Sequence, residues 1–251
     1  MSAKANLKID WCTHEAAKYA VENWHYSKRM PMPPLVKIGV WEDGKFIGCV
    51  LFARGANMNI GAPYHLACTE VAELVRVALT KHATPVSRIM RIACKFLTER
   101  SPGLRLLVSY ADPSEGHHGG IYQACGWVYE GSCGEATQFF HEGRWKHQRE
   151  VTAGAFRNPN TKRNWKSLPR RKMPGKHKYL LPLDDAMRAQ VAPLAKPYPK
   201  RKLDGARGDG VECERAGKGS PDGSTLGEGS SILTPALHRG ASSHTKFRKR
   251  L

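Results

Sequence analysis

Three short stretches hold the residue types that could do chemistry. The first is Trp24-His25-Tyr26-Ser27-Lys28, just ahead of a proline-rich break. An imidazole and a phenol side by side at a helix end suit a metal-ligand pair or an acid/base pair. The bland alternative is a histidine stabilised at a helix C-terminus beside a packed aromatic. The second holds Glu70, Glu73 and Arg76. In Val75-Arg76-Val77, strand alternation turns the guanidinium to the side opposite both valines. Glu73, an odd number of residues away, then lies off that face, though Glu70 or Glu73 can still meet Arg76 across a bend. A solvated face with a surface salt bridge is the alternative. The third runs from Ser109 to Tyr122 and places Asp112, His117, His118 and Tyr122 where an apolar strand opens into a Gly-rich loop. Strand ends of this kind line ligand crevices in α/β sheets. Carboxylate, imidazole and phenol are general acids and bases or metal ligands; solvated histidines and an Asx-turn at Asp112-Pro113 are the alternative.

The elements that must position these groups are legible in outline. Residues Thr13 to about Trp24 have helix composition, with Ala16, Ala17, Ala20 and Val21 on one face, Thr13 as N-cap and Glu15 in the first turn. Leu35–Trp41 and Phe46–Phe52 read as a hairpin with Asp43-Gly44 at the turn. A third run, Leu74–Leu79, precedes a helix from Val86 to Leu97 with helical apolar spacing, Thr84 and Pro85 standing at its N-cap and first position. Leu104–Tyr110 is an apolar strand, Gly120–Ala124 a short helix, and Trp127–Tyr129 opens another strand. The expected class is α/β, a mixed central sheet flanked by helices, with a basic C-terminal extension.

Over about residues 5–150 this order resembles the GCN5-related N-acetyltransferase fold. The resemblance is carried by the Leu74–Leu79 strand, its helix, and Ile121-Tyr122-Gln123-Ala124-Cys125-Gly126-Trp127. In that superfamily a Gln/Arg-x-x-Gly-x-Gly/Ala turn holds the pyrophosphate of acetyl-CoA. Here the turn reads His82-Ala83-Thr84-Pro85-Val86-Ser87, glycine-free and with no N–H on Pro85. Ordinary acetyl-CoA binding is not expected.

Charge and composition narrow the partners. The chain has 251 residues, enough apolar content for a core at 41%, and a net charge of +18. Residues 1–150 hold 18 basic and 14 acidic groups, so residues 151–251 hold 22 and 8. The excess reads as an appendage. Residues 166–202 alone carry eleven Lys/Arg interleaved with Tyr179 and Tyr198, a composition suited to nucleic acid. The organisation expected is a catalytic domain at 1–150, a basic DNA-contacting extension at 151–202, and a disordered Gly/Ser-rich tail at 203–251. No stretch approaches the roughly 20 apolar residues of a membrane span, and the N-terminus lacks a secretory apolar region. Seven cysteines without a C-x-x-C pair fit a reducing cytoplasm.

Asn23-Trp24-His25-Tyr26-Ser27-Lys28, Glu73–Leu79, Val108-Ser109-Tyr110-Ala111-Asp112, Gly119-Gly120-Ile121-Tyr122-Gln123 and the run Ala192–Arg201 together resemble the Mom family of phage DNA-modification proteins. The resemblance covers about 200 residues. It implies an enzyme that converts adenine in double-stranded DNA to N6-(carbamoylmethyl)adenine in the host cytoplasm, shielding phage DNA from restriction. It also implies an acetyltransferase-like fold and a dependence on iron. By motif match, His25, Tyr26, Arg76, Asp112 and Tyr122 take the catalytic positions. Arg76, Ser87 and Ser109 would contact the donor, an acyl or glycine-derived group whose identity is open. His25, Tyr26, Asp112 and His117 would hold the metal. Lys28, Arg29, Arg170, Arg171, Lys172, Lys176, Lys178, Lys200, Arg201 and Lys202 would contact DNA, with Trp24, Tyr26 and Trp41 as stacking walls for an extruded base. An acetyl-CoA-dependent N-acetyltransferase of a protein or small amine and a non-catalytic basic DNA-binding protein are the competing readings.

Overall fold

The computed structural model describes residues 5–55, 58–148, 150–151 and 167–200. The first helix, α1 (His14–Trp24), follows β1 (Leu7–Trp11) and is capped as its sequence demands: the Thr13 hydroxyl accepts the Ala16 N–H. Ala17, Ala20 and Val21 are fully buried against Cys49, Leu51 and Ala78. The hairpin of β2 (Leu35–Glu42) and β3 (Lys45–Ala53) turns through Asp43 and Gly44, both at positive φ, the geometry that matches strand twist. Then come β4 (Val71–Leu79), α2 (Val86–Arg100), β5 (Leu106–Ala111), α3 (Gly120–Ala124) and β6 (Val128–Ser132). They are followed by β7 (Ala136–His141), β8 (Arg144–His147), β9 (Arg170–Met173), β10 (His177–Pro182) and α4 (Asp185–Val191).

Among the described residues, seven strands form one mixed sheet in the order β1-β2-β3-β4-β5-β10-β6. β4 and β5 pair in parallel; the other pairs are antiparallel. One face is covered by α2, whose Ile89, Met90, Ala93 and Leu97 join Ile38, Val50, Phe52 and Leu107 in the largest core cluster. On the other face lie α1 and α4, the latter packing Met187 and Val191 on Leu106, Val108 and Leu180. The mixed α/β sheet flanked by helices is the class expected. No helix among the described residues is long and apolar enough to cross a membrane.

Two expectations change. The boundary at residue 150 does not part a core from an appendage, because β10 lies inside the main sheet between β5 and β6. His177-Lys178-Tyr179-Leu180-Leu181-Pro182 hides an apolar run among cations, and Tyr179 and Leu180 are fully buried. The α2 cap also shifts: Pro85 occupies the N-cap without a side-chain bond, and Thr84 is drawn away to Glu42. The expected tail at 203–251 lies outside the described residues.

A chain cut after residue 160 would lose this interior strand and leave β5 and β6 unpaired on one side. Circular dichroism should show no cooperative thermal transition for it, while a chain ending at residue 202 keeps one.

Candidate active site

The site is built where two parallel strands part. β4 and β5 pair only from Val71–Leu74 to Leu106–Ser109; β4 then runs on to Leu79 and β5 to Ala111. The β3–β4 register carries a bulge at the same point, with Leu51 opposite Arg76 and Phe52 opposite Leu74, so that Val75 faces no partner. A bulge re-aims the side chains that follow it. Counted across β3, Arg76 and Glu73 lie opposite Leu51 and Ala53 and share the α1 face, which the odd spacing had forbidden. Val77 packs on the opposite face as expected, but Val75 packs with the α1 cluster.

Arg76 Nη1 donates to the Val75 carbonyl at 2.6 Å. Its Nε is buried with no hydrogen-bond partner among the described residues. At the fork, Ser109 Oγ stands 2.7 Å from the Leu74 carbonyl and 2.8 Å from the Tyr122 hydroxyl. A carbonyl only accepts, so the one Ser109 proton goes to Leu74 and the Tyr122 hydroxyl donates to Ser109. Burial pushes the Tyr122 phenol up to about 12. Its proton is committed, and only its oxygen lone pairs remain for a ligand.

The end of α1 supplies the opposite wall. His25 stacks on Tyr26 with ring centroids 4.3 Å apart, and Tyr26 meets the edge of His117 at 4.8 Å. His25 Nδ1 accepts the Ser27 N–H at 3.1 Å and lies 2.8 Å from Ser27 Oγ. The neutral ring therefore carries its proton on Nε2. Burial first, then the charges of Arg76, His117 and Lys28, hold His25 down at about 4. Burial also raises the Tyr26 phenol, against the pull of Arg76 and Lys176. Asp112 caps the turn after β5, accepting from Ser114 N and Oγ, and pairs with Lys176 Nζ at 3.1 Å. Burial would raise its carboxyl, but Ser114 and Lys176 outweigh that and keep it low.

The candidate metal set does not fit as it stands. Among the described residues no three His, Cys, Asp or Glu side chains gather as a metal group. The reasons are visible: His25 presents Nε2–H, and the Asp112 carboxylate is taken by Ser114 and Lys176.

Coenzyme A fits no better. The turn that would cradle its pyrophosphate is already filled by an internal anion: the buried Glu42 carboxylate accepts Ala83 N, Thr84 N and Thr84 Oγ at 2.8, 2.8 and 2.6 Å. Burial opposes ionisation of Glu42, but these three bonds hold its carboxyl below the ordinary value. Ser87, a candidate donor contact, sits in α2 with its carbonyl facing the Cys125 thiol at 3.5 Å.

The basic residues divide. Lys28 donates to the Asn23 carbonyl at the end of α1. Lys178 is paired with Glu130 at 3.0 Å over the Tyr64 ring, which removes it from a DNA surface. Arg29, Arg170, Arg171, Lys172, Lys176 and Lys200 are exposed; Arg201 and Lys202 lie outside the described residues. Of the three stacking walls, only Tyr26 borders the fork. Trp24 packs on Tyr19 and Phe46, and Trp41 on Phe46 and under Lys8. Lys176, expected from the sequence to contact DNA, is also the Asp112 partner, a long-range pairing with no local signal.

Parting parallel strands in a mixed sheet, helices on both faces and an imidazole, a phenol and a guanidinium at the fork define an α/β protein with a candidate site between β4 and β5. The chain belongs to the Mom protein family, whose model matches residues 6–200. It is 26% identical over 155 residues to the methylcarbamoylase mom of Escherichia phage Mu, a match spanning 60% of this chain and 63% of that protein. Among solved structures it is similar to an acetyltransferase-type protein of Acinetobacter baylyi ADP1 (TM-score 0.41, 14% identity, 79% of this chain and 100% of that one). It is also similar to FeeM, an N-acyl amino acid synthase from uncultured soil microbes (TM-score 0.43, 13% identity, 77% and 99%).

Three measurements check the electrostatics. His25 titrates below the ordinary 6.5 when folded, so the unfolded chain binds the proton first as pH falls. Its contribution to stability is whole above about 6.5 and declines as pH drops toward about 4. Urea unfolding across this range should show a shallower pH dependence for His25→Asn; matching slopes would refute the assignment. Glu42→Gln should cost about 1–3 kcal/mol in denaturant unfolding, and coenzyme A should leave the melting temperature of the unaltered chain unchanged.

Proposed function

We propose that this chain is a DNA-modifying transferase that converts adenine in duplex DNA to N6-(carbamoylmethyl)adenine, acting in the cytoplasm of a phage-infected bacterium and protecting phage DNA from restriction. Membership of the Mom family supports it, as does the name of the Mu relative, methylcarbamoylase. The observation that carries it is the partnerless buried Nε of Arg76 at the strand fork, a preformed donor for an oxygen that a ligand must bring.

The exocyclic amine of adenine is a poor nucleophile, since its lone pair is delocalised into the ring. The base must leave the stack to be reached, and the Tyr26 ring, half-exposed at the mouth of the fork, gives it a face to stack on. Arg76 Nε–H then holds the carbamoyl oxygen of the incoming group, orienting the methylene carbon beside that carbonyl toward N6. His25, neutral with its proton on Nε2, adds a second donor without a second charge. As the N6–carbon bond forms, the bond from that carbon to the donor's leaving group breaks and its electron pair departs with that group; the ionised Asp112 carboxylate accepts the N6 proton, and Lys176 Nζ, its ion-pair partner, gives a proton to the departing anion. Tyr122 and Ser109 are positioning residues that keep the fork open. The donor reaches this site without a phosphate cradle, and iron enters no step.

Mass spectrometry of nucleosides from plasmid DNA in expressing cells tests the reading. Deoxyadenosine should carry a carbamoylmethyl increment, reduced at least about a hundredfold by Arg76→Ala. Unmodified DNA from cells with abundant unaltered protein would overturn it.

A further inference from the structure

β7, β8 and β9 form a second, three-stranded sheet in the order β8-β7-β9. It grows out of the main sheet at the active-site end. The β6–β10 ladder stops at Ser132 opposite His177, and the β7–β9 ladder resumes at Ala136 opposite Met173. The Cys133 N–H to Lys176 carbonyl bond at 2.8 Å bridges the break. On its other side His177 pairs with Ala111, the residue before Asp112. The arm therefore leaves beside the mouth of the fork and reaches roughly 20 Å over the six residues from His177 to Arg171, at about 3.3 Å per residue.

The two faces of this arm differ. Phe139 and Lys146, directly opposite one another, are buried. The other face carries Phe140 opposite Trp145 and Gln138 opposite Arg171. Phe140 is 41% exposed and Trp145 36%, and their rings meet edge to face at 5.4 Å. The Arg171 guanidinium lies over Trp145 at 4.5 Å and is held there by two bonds to Gln138 Oε1, at 3.0 and 2.8 Å. Two exposed aromatics and a flattened guanidinium form a surface with π faces and positive charge. Residues 133–147 and 170–176 hold six Lys/Arg against two glutamates; Lys146 and Lys172 pair with those glutamates, Arg144 with Glu150 and Lys176 with Asp112, so the positive charge on this face is carried by Arg170 and Arg171 of β9.

We infer that this arm docks on the duplex beside the target adenine, with Phe140 and Trp145 against bases where the helix opens and β9 along the phosphates. The inference rests on the proposed DNA substrate and adds where and how that substrate is held. Positive charge suits phosphate, but charge alone does not call for two exposed aromatic rings; base stacking does.

The two ideas separate under a charge-adding substitution. Phe140→Lys/Trp145→Lys removes both rings while raising the positive charge. Binding of a short fluorescent duplex with one mismatched adenine, followed by anisotropy in the full chain, should weaken at least about tenfold. Equal or tighter binding means that charge alone is read, and overturns the inference. If the double variant melts early, Trp145→Phe and Trp145→Ala decide the matter: affinity should fall from the unaltered chain through Phe to Ala, and equal affinity overturns the proposal. Unaltered protein that fails to bind the duplex even at low salt would sink the DNA-substrate reading itself, whereas binding that ignores these rings sinks only the docking arm.

Discussion

Beyond Leu74 and Ser109, two buried parallel strands that could go on pairing do not. Left alone, their backbone groups would close the ladder, since an unpaired polar group is costly where water is scarce. Three features hold the strands apart. The bulge at Val75 bends β4, the Ser109 hydroxyl takes the Leu74 carbonyl, and Tyr122 donates to Ser109 from the α2 face. The gap lets groups from both faces of the sheet approach one another. Arg76 and the end of α1 enter from one side, and Tyr122 from the other. Without the bulge, the register would turn Arg76 and its neighbours to opposite faces, and the site would lose its guanidinium.

The insertion of β10 between β5 and β6 explains why the basic half of the chain cannot be a separate arm. Its Tyr179 hydroxyl donates to the His118 carbonyl at 2.6 Å, and Gln123 Nε2 donates to the same carbonyl and to Tyr179. Gly119, at φ +82, lies so close to the Tyr179 ring that a Cβ would fall 2.3–2.5 Å from it. The loop that carries Asp112 and His117 is thus locked to β10, while Lys176 just ahead of that strand neutralises Asp112. Further along, Lys178 spends its charge on Glu130 beneath Tyr64. Much of the basic excess near β10 is structural, and Lys172 on β9 pairs with Glu135; the exposed cations left for a polyanion are Arg29, Arg170, Arg171 and Lys200.

Local patterns were legible and long-range ones were not. The Thr13 cap, the Asp43-Gly44 turn, the apolar face of α2 and the loop that opens after β5 each follow from a few neighbouring residues, and each is present. The bulge at Val75 depends on how β4 registers against β3, so simple alternation misassigned the faces of Val75 and Glu73. β10 was masked because lysines flank and interrupt its apolar centre, and its place in the sheet is set by β5 and β6. The same limit misled the aromatic reading: Trp24 and Trp41 pack around Phe46, although their composition suited a base-stacking wall. His25, Tyr26, Arg76, Asp112, His117 and Tyr122 do converge, but their hydrogen-bond assignments, which decide what each can do, come only from the fold.

Glu42 and Arg76 show opposite solutions to one electrostatic problem. The start of a helix next to a sheet edge offers N–H groups to an anion, and here a buried carboxylate from the β2–β3 hairpin satisfies Ala83 and Thr84 permanently. That choice stiffens the β4–α2 turn and removes the place where a diphosphate would anchor. At the fork the polarity reverses: a guanidinium is buried with Nε left unsatisfied, and the neighbouring His25 is held neutral. On the proposed function, ligand selectivity moves from the turn to the fork: a donor held there would be read through a carbonyl or other acceptor oxygen close to its reacting carbon, and a distant phosphate handle would contribute nothing at the α2 turn.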